Sequence, residues 1–206
     1  MSCVYGGDQV PASVVETIRQ ETTDLTIAKR HLGLWTDRGL PDTSCALHSI
    51  GMTYWNLVGT MSGFHAVAEM PAPAHGPYGF VGDEVRNDSA WFSPTADVPS
   101  ALVEFERYSG ITDETKLAGK VNSLLLAHHR WQMVPNVLIL AYWTKGLAAL
   151  PDHASLRRRA RQGFETSARE RVIGAADAAV LFFQFVLQES MDSRWRLTQV
   201  IERGVL

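Results

Sequence analysis

ALVEFERYSG, residues 101–110, sets two glutamates one residue apart inside an otherwise apolar run. Ala101, Leu102, Val103 and Phe105 are residues of a buried strand. Side chains alternate along a strand, so Glu104 and Glu106 point the same way. A buried carboxylate without a partner costs several kcal/mol or gives up its charge. Two acids aimed at one spot therefore need a cation, or else an exposed strand face paired to Arg86 or Arg107.

Upstream, DEVRNDSAWFS (83–93) reads as a strand with Asp88 inside it, a position where aspartate is depleted. SPTADVPS (93–100) connects it to the glutamate strand, so the pair brings Asp88, Glu104 and Glu106 to one end of a sheet. Such a cluster disfavours full ionisation unless a cation neutralises it. Mg2+, with Mn2+ as the substitute, is a hard ion held by carboxylates, backbone carbonyls and water, so it fits this set. The carbonyl of Phe105, next to Glu104, is a further candidate ligand.

Downstream, DETKLAGKVNSLLLAHHRW (113–131) is helical, with Asp113 and Glu114 in the first turn, where acids suit the macrodipole. Leu117, Val121, Leu124, Leu125 and His128 form one stripe, and Lys116, Lys120 and Ser123 form another. Pro135 ends the helix, and NVLILAYW (136–143) is the continuous apolar run of a central strand. His128 and His129 close the helix, where cations meet the C-terminal dipole.

Toward the N-terminus, 11–35 and 45–63 carry helical spacing, FHAVAEM (64–70) alternates as a strand, and PAPAHGPYG (71–79) is a turn. The tail holds a basic helix, SLRRRARQGFETSARERV (155–172), an apolar segment, AADAAVLFFQFVLQ (175–188), and a last stretch, 193–205, that allows an edge strand. The expected fold class is α/β (α+β): a mixed central sheet flanked by N-terminal and C-terminal helices. Residues 1–206 read as a single domain, with N-terminal helices over 11–63, a core over 64–145 and the C-terminal helices and edge strand over 146–206.

Of the 206 residues 46% are hydrophobic and 20% charged, enough apolar material for a core, which excludes a disordered chain. The formal net charge of −3 means that nucleic-acid contact must rely on local patches. Arg157, Arg158, Arg159 and Arg161 form one such patch, able to grip phosphates or to stand as a solvated helix face. Cys3 and Cys45 are too few for a disulfide framework or a zinc site. The N-terminus lacks the regions of a signal peptide, and the longest apolar run, Ala175 to Leu187, carries Asp177 and Gln184. The expectation is a cytoplasmic protein with no membrane partner. Walker loops, dinucleotide fingerprints, zincin helices and nucleophile elbows do not occur in the sequence.

The run RNDSAWF…ALVEFERYSG…KLAGKVNSLLLAHHRW…NVLILAYW resembles the PD-(D/E)XK nuclease superfamily, the restriction-endonuclease-like fold, over roughly residues 64–145. That family has an aspartate on the second core strand and Glu-x-Lys on the third, followed by a helix and a fourth strand. The resemblance carries the metal-binding acids onto Asp88 and Glu104, with Phe105 beside them, and the additional upstream acid of several members onto Glu69. Asn87 precedes Asp88 where proline is common, and Glu106 stands at the lysine position. Some type II restriction enzymes carry glutamate there, and other members move the lysine to the following helix, a role open to Lys116 or Lys120. The resemblance implies a Mg2+-dependent endonuclease hydrolysing DNA, with RNA as a variant substrate and a homodimer by analogy. Its alternative is a catalytically inactive domain of the same fold that binds nucleic acid or protein.

Overall fold

The computed structural model describes residues 12–74, 84–167 and 169–205; Cys3, Pro11 and most of the 71–79 turn lie outside them. The stretch around residue 104 is strand β3, Pro99–Arg107, preceded by β1, His65–Pro71, and β2, Arg86–Phe92. Helix α4, Glu114–Arg130, then leads to β4, Val137–Lys145. Together with β7, Ala179–Glu189, and β8, Trp195–Val205, these strands form a six-stranded mixed sheet in the order β1-β2-β3-β4-β7-β8. The central neighbours β3, β4 and β7 run parallel, and the outer pairs are antiparallel. This is the mixed α+β architecture expected from the sequence.

Helices cover both faces. Alternation sends Val103, Phe105, Ile139, Phe183 and Phe185 into one apolar cluster, shared with α1 (Ala12–Thr23), α2 (Thr26–His31) and α3 (Ser44–Met61). Leu102, Leu138, Leu140 and Phe182 enter the other, with α4 and α5 (His153–Gln162). The first cluster is aromatic: Trp35 stacks on Phe185 at 5.7 Å between ring centroids, and Phe105 meets Phe185 edge-on at 5.3 Å. Burying a ring of this size stabilises by roughly 2–3 kcal/mol, so Phe105 is firmly seated. Helix α3 can lie close because Gly51 faces that ring; a Cβ there would come within 2.0 Å of Phe105.

Three expectations change. In place of one helix over 11–35, residues 12–31 form two helices, broken where Leu25 adopts φ 57°. The basic helix stops at Gln162, because Gly163 takes φ 78° and its backbone packs where a Cβ would lie 1.9 Å from the Val172 carbonyl. A two-stranded hairpin follows, β5 (Phe164–Glu165) with β6 (Arg171–Val172). The apolar segment is the central strand β7, buried on both faces, which is why it shows neither helical nor two-residue periodicity. Among the described residues the C-terminal region therefore holds one helix, α5. No helix of the described residues is long and apolar enough to cross a membrane.

Candidate functional site

The β2–β3 ladder runs from Phe92–Pro99 to Ser89–Val103 and goes no further. One more step would pair Asp88 with Glu104. Instead the Asp88 side chain takes the ladder bond: its Oδ2 accepts from the Phe105 N–H at 2.6 Å. On the other side, the pairs Ala68–Ser89 and Met70–Asn87 set Glu69 opposite Asp88. The sheet is therefore interrupted at one level, and Asp88 stands in the interruption.

Side chains from both helical layers reach this point. From α4, Lys120 Nζ lies 2.7 Å from Glu104 Oε2 and 3.5 Å from Asp88 Oδ2. From α3, His48 Nε2 lies 3.5 Å from Asp88 Oδ1. Asn87 Nδ2 donates to Glu104 Oε1 at 2.8 Å, so both oxygens of Glu104 are bonded. Glu104 has no exposed surface and Asp88 is 6% exposed.

The electrostatics follow from that enclosure. Burial pushes the Glu104 carboxyl up, to about 8, against the pull of Lys120 and Asn87. For Asp88 burial also acts upward, but the His48 contact, the Lys120 charge and the Phe105 N–H outweigh it and hold the group below the usual carboxylate range. Burial opposes the Lys120 ammonium, yet Glu104 and Asp88 raise its pKa above the ordinary lysine value. His48 is raised by its contact with Asp88.

Of the two lysines one turn apart, only Lys120 enters this group; Lys116 is exposed and pairs with Asp113 at 3.3 Å. Glu106 is half-buried, accepts from the Arg107 N–H at 2.8 Å, and lines a pocket of about 350 Å3 with His48, Lys120, Arg107 and Trp143. On a strand a residue's N–H and C=O point to the same neighbour, so the Phe105 carbonyl, like its N–H, faces the β2 side. In α5, Arg157 donates to the Arg203 carbonyl at 2.6 Å and Arg159 to Asn122 at 3.2 Å, while Arg158 and Arg161 are exposed. A larger depression of about 390 Å3, beside His128 at the far end of α4, contains none of these acids.

His48, Glu69 and Asp88 form a possible metal-binding group, with one ligand atom of each within 4.8 Å of the others. The donor set fits a divalent ion. Two carboxylates suit Mg2+ or Mn2+, and the imidazole adds a nitrogen that favours transition metals over Mg2+. His48 carries no motif in the sequence; it reaches the site only because α3 packs on Phe105, with the two rings 6.2 Å apart. Asn87, next to Asp88 on β2, holds Glu104 through its side-chain amide. No protein-family model, no curated protein and no solved structure matches this chain.

Proposed function

We propose that this chain is a divalent-metal-dependent phosphodiester hydrolase of the restriction-endonuclease-like kind, acting on DNA. The observation that carries the reading is the position of Lys120, a lysine from the helix after β3 within 3.5 Å of both Asp88 and Glu104. A helix-borne lysine beside an aspartate and a glutamate on neighbouring strands supplies the three parts of that family's site, with Glu106 left at the usual lysine position. Mg2+ or Mn2+, when bound, supplies a polarised phosphoryl oxygen and a water of lowered pKa.

The chain's own residues do the rest. Asp88, held by the Phe105 N–H through Oδ2, offers Oδ1 toward His48, and Glu69 completes the group of ligands. Lys120 places a fixed positive charge beside that carboxylate, where it offsets the charge of an incoming phosphate. Glu106, at the pocket wall, is placed to accept a proton from water. The exposed Arg158 and Arg161 provide a phosphate-gripping patch that the overall charge of −3 does not.

One observation favours a non-catalytic domain instead: Glu104 is fully bonded and fully buried, as in a structural ion pair. The two readings separate on a plasmid-nicking assay with Mg2+, Mn2+ or a chelator. Cleavage that needs the metal and falls on the order of 100-fold or more in Lys120→Met supports the hydrolase. Absence of cleavage and of Mn2+ uptake leaves the binding domain.

A further inference from the structure

We propose that the protein takes up a single divalent ion, on the His48 side of Asp88, and that the Lys120 ammonium is a built-in second cation on the other side. The proposal rests on the metal-dependent reading above and reassigns Glu104 from ligand to positioning residue. The two oxygens of Asp88 face different partners: Oδ2 meets the Phe105 N–H at 2.6 Å and Lys120 at 3.5 Å, and Oδ1 meets His48 at 3.5 Å. The Oδ2 side is closed. Glu104 has no exposure, and Lys120 and Asn87 occupy both of its oxygens. Mg2+ and Mn2+ are held with several waters retained, and a fully enclosed carboxylate leaves no room for them.

The Oδ1 side is open. The side chains of His48 and Glu69 are 32% and 46% exposed, and their ligand atoms come within 4.8 Å of each other and of Asp88. Arg86 also touches Glu69, at 3.3 Å, but in an exposed contact that water screens. In two-metal hydrolases the ions sit about 3.5–4 Å apart and share a carboxylate. Here an ammonium stands on one side of the shared carboxylate, tethered by Glu104.

The test is a Mn2+ titration of the full chain followed by electron paramagnetic resonance, which counts bound ions without reference to cleavage. The wild type should bind one ion. His48→Ala should weaken it on the order of 100-fold, whereas Glu104→Gln should stay within about tenfold, as for a group behind the ligands. Lys120→Ala should take up two ions, because it removes the ammonium and opens the space that its side chain fills beside Asp88 and Glu104. Glu104→Gln/Lys120→Ala, which lacks the second carboxylate, should return to one ion and serves if Lys120→Ala does not fold. Two ions in the wild type overturn the proposal, as does loss of binding in Glu104→Gln with His48→Ala unaffected. No Mn2+ uptake by the wild type removes the metal-dependent reading as well. One bound ion with this variant pattern, in a protein that does not cut DNA, upholds the proposal and removes only the nuclease reading.

Discussion

The Lys120 ammonium lies 2.7 Å from the Glu104 carboxylate, and that carboxylate has no contact with solvent. Above about pH 8, where Glu104 is ionised, removing one partner of this buried pair strands the other charge, at a cost of about 3–5 kcal/mol. Lys120→Met is therefore expected to lower the urea-unfolding free energy at about pH 9 by about 3 kcal/mol, and Glu104→Gln/Lys120→Met to recover most of the loss. A Lys120→Met protein as stable as the wild type means the pair contributes nothing to the fold.

Two helix glycines should respond in opposite ways. At Gly51 a Cβ meets the Phe105 ring at 2.0 Å, so Gly51→Ala overpacks the core and should cost about 1–3 kcal/mol. Because the Phe105 N–H holds Asp88, the same change should weaken Mn2+ binding. At Gly119 nothing lies within 4 Å, and Gly119→Ala should raise stability by about 1 kcal/mol through helix propensity alone. Thermal melts of the two variants decide this; equal shifts contradict the close α3–β3 packing.

Glu69 holds φ 53° within strand β1, a left-handed conformation that costs a residue with a side chain about 1–2 kcal/mol. Glu69→Gly should relieve that strain and raise the melting temperature, while Mn2+ affinity falls. Stability and binding moving in opposite directions marks a residue kept for its carboxylate. If both fall together, the conformation is there for packing.

His128 is 5% exposed, and burial, assisted by His129, lowers its pKa to about 4 from the ordinary 6.5. Between those values the unfolded chain binds a proton that the folded chain does not. This group's contribution is therefore full above 6.5 and falls as the pH drops toward 4, by roughly 3 kcal/mol in total. Urea melts across that window should show the loss, and His128→Gln should reduce it, leaving the share of His153, whose pKa burial also lowers to about 4. An unchanged slope in the variant places the acid sensitivity elsewhere.

Much of the core could be read from residue patterns. The apolar run with Glu104 and Glu106, the aspartate on the strand before it and the amphipathic helix after it are local features, and each became the expected element. The approach of Asp88 to Glu104 followed from a short connection between antiparallel strands. The choice of Lys120 over Lys116 did not. It depends on how far α4 slides along the sheet, which the packing of Leu117, Val121 and Leu124 decides. His48 was invisible because its approach depends on α3 resting on Phe105, a contact distant in sequence. Strand β7 was obscured because burial on both faces removes periodicity.

Under the proposed function, Asp88 anchors metal-dependent cleavage of DNA. The most direct test is cleavage of an end-labelled duplex in Mn2+ by the wild type and by Asp88→Asn, which keeps an acceptor for the Phe105 N–H. Cutting by the wild type that stops with a chelator, and none by a variant with the same melting temperature, is the expected result. A wild type that leaves the duplex intact, or a variant that cuts equally well, contradicts it.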